Sequence, residues 1–96
     1  MSIEVKNLKG TGKYKAYNKG YKSWKDYWID NNNTGMRWVY CAVQNCYGSA
    51  TDGAHVKKVG NYDNSWFIVP MCHSHNMKED EIFDVDESYL VPVVNP

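Results

Sequence analysis

The sequence predicts a small α+β domain built around a zinc ion: a ββα core, an added N-terminal aromatic helix and a C-terminal strand. Three observations predict it. Cys41-x4-Cys46 and Cys72-x2-His75 are two ligand pairs, each short enough for one tight turn to aim both side chains at a single point. The 25 residues between the pairs are enough for a β-hairpin. Trp24, Tyr27 and Trp28 recur at i, i+3 and i+4, the spacing of one helix face.

The elements follow in order. Residues 2–8 (SIEVKNL) alternate weakly and are expected as a strand, and the Gly-, Lys- and Tyr-rich stretch 10–22 as loop. Ser23 caps a helix, with Asp26 three residues on, and Asn31-Asn32-Asn33-Thr34-Gly35 stops it. Residues 36–40 (MRWVY) are expected as a strand running into Cys41. Residues 53–59 and 65–71 form the hairpin around a turn at 60–64, with Pro70 at a strand end. A short helix is expected from His73 to about Asp80, with Cys72 at its start, and a last strand in YLVPVV, 89–94. The chain divides into an N-terminal extension (1–35), a metal-binding core (36–80) and an acidic tail (81–96) of one domain.

A chain of 96 residues buries only about 60–65% of its unfolded surface, so a metal would help it fold. Structural zinc contributes on the order of 10 kcal/mol, comparable with the stability of a small domain. Aromatics at 15% suggest a core of Trp and Tyr rather than of aliphatic layers. The set Trp24, Tyr27, Trp28, Trp38 and Trp66 belongs to that core. Tyr14, Tyr17 and Tyr21, spaced among lysines, are the aromatics expected outside it.

Net charge is zero but uneven. Residues 1–29 carry seven lysines against Glu4 and Asp26, and residues 78–96 carry six acids against Lys78. The two ends are expected to face each other or to be solvated; a single arginine, Arg37, argues against a strong nucleic-acid footprint. No apolar run approaches the ~20 residues needed to span a bilayer, and no signal peptide is visible. Three cysteines cannot all pair within one chain, so the expected compartment is the cytoplasm, and the expected state a monomer.

The zinc set is Cys41, Cys46, Cys72 and His75, which leaves no cysteine over. His73 is a competing nitrogen, but on a helix it points about 100° from Cys72, whereas His75 returns to the same face. His55 is a second competitor, reachable only if its strand bends back to the metal. Four protein ligands close the site to water, so such a zinc is structural rather than catalytic. A nucleophilic Cys72 beside His73 would leave Cys41 and Cys46 without a purpose. No phosphate-cradling glycine loop or dinucleotide fingerprint is present.

With these residues in place, the segment from Cys41 to Lys78 resembles treble-clef zinc domains of the HNH-endonuclease type, most closely at Gly53-Ala54-His55-Val56 and Ile68–Asn76. The whole chain also resembles a set of small bacterial proteins of no assigned activity. Shared features are Gly10-Thr11-Gly12, Ser23-Trp24, the Gly-Ala-His-Val segment and Val69-Pro70-Met71-Cys72 with His75-Asn76. Some of that set carry extra cysteines where Tyr14 and Tyr17 stand here. The HNH resemblance implies His55 as a general base, Asn61 or Asn64 as its orienting residue, and Asn76 as a ligand for a catalytic Mg²⁺ or Mn²⁺. It departs from the pattern at Ala54, where a carboxylate or histidine ligand normally stands; Asp52 would point to the opposite strand face. The expected function is therefore a zinc-stabilised HNH-like binding module, non-catalytic or degenerate. Its partner would be DNA or RNA, contacted by Lys57, Lys58 and Lys78; the alternative is a divalent-metal nuclease. Ala54 favours a buried, hydrogen-bonded structural His55 over a general base.

Overall fold

The computed structural model describes residues 1–8, 11, 14–36, 40–60, 65–78 and 80–93. Its framework is a five-stranded antiparallel sheet. The strands are β1 (Ser2–Asn7), β2 (Asp52–Lys58), β3 (Trp66–Met71), β4 (Ile82–Asp86) and β5 (Val91–Val93), in spatial order β4-β1-β2-β3-β5. Helix α1 (Trp24–Asn31) covers one face, and the four-residue α2 (His73–Asn76) follows β3 directly.

The expected hairpin is β2 and β3, paired from Asp52 with Met71 to Val56 with Phe67. Gly60, at φ 75°, opens its turn in the left-handed region that glycine reaches without strain. Pro70 is the penultimate residue of β3, at the strand's end as expected. Its missing N–H costs nothing there, because β5 pairs only with Trp66 to Ile68 and leaves that edge of Pro70 without a partner strand.

The acidic tail holds a strand that the sequence reading left unassigned. In IFDVD, Phe83 and Val85 face inward and their neighbours outward, the period of a half-buried strand. This β4 pairs with β1 over five residues, Ser2 with Asp86 through Lys6 with Ile82. The two oppositely charged ends of the chain thus lie side by side, and the terminal ammonium stands 3.9 Å from Asp86. The last strand spans Val91–Val93, after a 3-10 turn at Glu87–Tyr89. The expected strand at 36–40 falls largely on 37–39, outside the described residues, as do Arg37, Trp38, Asn61 and Asn64; Tyr40 makes a bridge to Ser49.

Strand alternation separates two cores. One face gathers Val5, Ala54, Val56, Val69, Met71, Phe83 and Val85 with Cys41 and Ala42. That core is aliphatic, a correction to the aromatic interior expected from composition. The other face gathers Trp28, Ala50, Ile68, Val91 and Val93 under α1, with Trp24, Tyr27 and Trp66 packed on them. Here the aromatic stripe does what its spacing predicts. Trp28 is fully buried, and its indole N–H donates to the Tyr89 carbonyl at 2.7 Å.

Helix α1 begins where Ser23 Oγ accepts the Asp26 N–H at 3.1 Å. It ends at Asn32, whose side-chain amide donates to the Trp28 and Ile29 carbonyls at 3.0 and 2.8 Å. Those bonds satisfy acceptors that a helix end leaves open. The second helix is shorter than the expected 73–80, stopping at Asn76.

Candidate metal centre

The two ligand pairs converge. One ligand atom from each of Cys41, Cys46, Cys72 and His75 lies within 4.8 Å of every other. His75 Nδ1 is 3.1 Å from Cys72 Sγ and 3.7 Å from Cys41 Sγ, and Cys46 Sγ is 4.0 Å from Cys72 Sγ. A tetrahedral zinc with ordinary bond lengths separates its ligand atoms by about 3.6–3.8 Å. The cluster therefore fits the donor set and nearly the size of such a centre, and all three cysteines are free thiols.

Local structure explains the convergence. Residues 41–46 form a knuckle, with Asn45 at φ 66°, a conformation asparagine tolerates better than most residues. Backbone bonds hold this knuckle across the aliphatic face. Ala42 N donates to the Pro70 carbonyl at 2.8 Å and Gln44 N to the Asp84 carbonyl at 2.9 Å. Cys72 caps α2, and Asn76 N donates back to its carbonyl at 3.0 Å, so Cys72 and His75 share the first turn. The His75 ring stands edge-on to Phe83, 5.3 Å between centroids.

The electrostatics suit a cation. The Gly48 N–H holds the Cys46 thiol below its ordinary range. Burial pushes the Cys41 thiol up to about 12, against N–H donors from Cys72 and Val43. A buried sulfur of that kind is stable as a thiolate when a bound cation supplies the compensating charge.

His73 is not in the cluster. Its Nδ1 lies 2.8 Å from Asp52 Oδ2, and Asn76 Nδ2 donates to the same oxygen at 2.9 Å. Burial opposes the charge on Asp52, but the bonds from Asn76, His73 and Thr51 outweigh it and keep the carboxyl below the usual range.

His55 lies across the sheet from the cluster, on the α1 side. It is 9% exposed, and its ring stands edge-on to Trp24 at 4.8 Å and to Trp66 at 5.8 Å. Burial lowers its pKa to about 4, so the ring is neutral near pH 7. Its Nε2 is sealed from solvent without a hydrogen-bond partner among the described residues. The buried histidine expected from the sequence is there, but that nitrogen is unpaired rather than bonded.

Of the three lysines, Lys58 pairs with Glu87 at 3.8 Å and lies over the Phe67 ring, and Lys78 pairs with Glu81 at 3.9 Å. Lys57 sits opposite Lys6 in the β1–β2 register.

Asn7 was missed by the sequence reading. It is 6% exposed, and its Nδ2 donates to the carbonyls of His75 at 3.0 Å and Lys78 at 2.9 Å. This ties β1 to the helix that carries Cys72 and His75 of the cluster, and donates to carbonyls at its C-terminal end. The signal was present: Ile3, Val5 and Asn7 share one face of the alternation, and a polar residue at an inward position needs partners. No family model, curated protein or solved structure matches the chain.

Proposed function

We propose that this chain is a zinc-stabilised, non-catalytic binding module with an HNH-like treble-clef core, and that its partner is nucleic acid. The observation that carries the proposal is the Cys₃His cluster. A tetrahedral cation held by four side chains has no position left for water, so its work is to hold the fold. The order of knuckle, β2–β3 hairpin and α2 supports the treble-clef reading. The absence of catalysis is supported by His55, which burial makes a weak base and which is wedged against two indoles, with Ala54 beside it turned into the aliphatic core.

Support for a nucleic-acid partner comes from Lys6 and Lys57. Like charges directly opposite on paired strands repel, and a phosphate between them would reverse the sign of that interaction. Lys58 and Lys78 are offset by their acids and contribute less than Lys57.

The nuclease alternative keeps one observation in its favour: His55 and Asn76 line the same cavity. One experiment separates the readings. The zinc-loaded chain is assayed for mobility shifts of duplex DNA, single-stranded DNA and RNA at low salt, and for plasmid nicking with Mg²⁺ or Mn²⁺. Binding without nicking, weakened by Lys57→Gln, is the expected result. Nicking that disappears in both His55→Ala and Asn76→Ala would establish the nuclease instead. No shift with any nucleic acid would remove the partner from the proposal.

A further inference from the structure

A cavity of about 520 Å³ opens between the end of β1, the segment before α1 and the end of α2. That volume is in the range of small-molecule sites. Two buried side-chain atoms, Asn7 Oδ1 and His55 Nε2, have no hydrogen-bond partner among the described residues, and both residues line this cavity. Buried polar atoms are rarely left unpaired, and two of them beside one cavity point to a ligand whose entry shifts the lining enough to reach them and supply what the fold does not.

We infer that this cavity binds a nucleobase, a flat nitrogen heterocycle with an N–H donor on its edge, carried next to a negatively charged phosphate. The inference deepens the nucleic-acid reading above and rests on it for the source of the base. The hydrogen-bond chemistry is constrained at one end. Asn7 Nδ2 is committed to the His75 and Lys78 carbonyls, and flipping the amide would set oxygen against oxygen. Its Oδ1 is therefore an acceptor only, and the ligand must bring a donor. His55 is neutral, so its Nε2 donates or accepts according to tautomer and can meet either kind of ring nitrogen. The aromatic wall is Trp24, whose indole N–H is already bound to the Tyr14 carbonyl at 3.0 Å, together with Tyr14 itself. An indole in the lining gives a base an aromatic side chain to pack against. Lys15 and Lys22 also line the cavity and supply positive charge for a phosphate. An apolar ligand would leave both buried atoms unpaired, and a neutral one would make no use of the lysines.

The test is NMR on the zinc-loaded full chain, following the Asn7 side-chain amide, the His55 imidazole and the Trp24 indole. The probes are AMP, GMP, CMP and UMP, their nucleosides, inorganic phosphate, a neutral monosaccharide and short single-stranded oligonucleotides. The expected result is that at least one nucleotide moves all three signals with a Kd of about 1 mM or tighter. Its nucleoside should move the same signals more weakly. His55→Phe, which keeps an aromatic ring between the indoles, should weaken binding about tenfold or more. Lys15→Gln should weaken the nucleotide and not the nucleoside. An oligonucleotide bound about tenfold tighter than the nucleotide identifies a strand as the source, and equal affinity a free nucleotide; both support the inference. Unmoved signals at about 5 mM of every nucleotide and oligonucleotide would overturn it. So would a response to the sugar or to phosphate alone. The module reading fails separately, if strands and duplexes do not bind while mononucleotides still move these signals.

Discussion

Gly53 lies directly beneath Trp24. A β-carbon on Gly53 would stand 2.5 Å from the Trp24 carbonyl carbon and 2.6 Å from the Lys25 amide nitrogen. β2 and the first turn of α1 therefore meet backbone to backbone, and this close approach lets the Trp24 ring reach His55. Neither neighbour is the flexible end of a side chain, so nothing can yield cheaply. Gly53→Ala is expected to cost about 2–4 kcal/mol, measured by urea unfolding of the zinc-loaded protein. A loss under about 0.5 kcal/mol would show that the helix does not pack this closely.

Asn7 links the N-terminal strand to α2, the helix of the Cys₃His cluster. Asn7→Ala takes one of its donors from the His75 carbonyl, which keeps the Lys78 N–H, and takes the side-chain donor from the Lys78 carbonyl, at an expected cost of about 1–3 kcal/mol. Zinc affinity, read by competition with a chromophoric chelator, should fall about 10-fold because the ligand helix loses its anchor. Asn7→Asp should be worse, since a carboxylate would face carbonyl oxygens. Unchanged affinity in both variants would mean that α2 holds its place without β1.

His55 gives the domain a specific acid sensitivity. Its folded pKa of about 4 lies below the ordinary 6.5, so the unfolded chain takes the proton first. Stability is fully present above pH 6.5 and declines as pH falls towards 4, by at most about 3 kcal/mol from this residue. Acid also releases zinc from the thiolates, but His55→Phe keeps the same ligands. The variant should therefore gain on the parent as pH falls from 6.5 to 4 and level off below that. Parallel stability–pH curves would mean that His55 is solvated in the folded protein.

Asn45 carries the knuckle through a left-handed backbone conformation at φ 66°. Asn45→Gly should be neutral within a few tenths of a kcal/mol, while Asn45→Val should cost about 1–2 kcal/mol. Thermal unfolding of the zinc-loaded variants checks both, and equal melting temperatures would contradict the strain.

The Cys41, Cys46, Cys72 and His75 cluster and the hairpin were legible because both follow from short-range rules. Cys72 and His75 three apart share a helical turn, and residues on either side of Gly60 alternate with the period of strands. α1 was legible for the same reason, from Ser23 to its asparagine stop. β4 was hidden by composition, because Asp84 and Asp86 on its outer face made a half-buried strand resemble a solvated tail. Its inward residues, Phe83 and Val85, are too few to mark it without a partner, and that partner, β1, lies about eighty residues earlier in the chain. The cavity was not legible at all. Asn7, Trp24 and His55 come from three distant segments, and only the folded sheet places them together.

The central claim is that zinc holds this fold through Cys41, Cys46, Cys72 and His75. The most direct test is native mass spectrometry of protein purified without chelator, followed by NMR dispersion after the metal is stripped. The account predicts one zinc per chain, loss of dispersion on stripping, and the same loss in Cys72→Ser. A metal-free chain with three free thiols and native dispersion would contradict it.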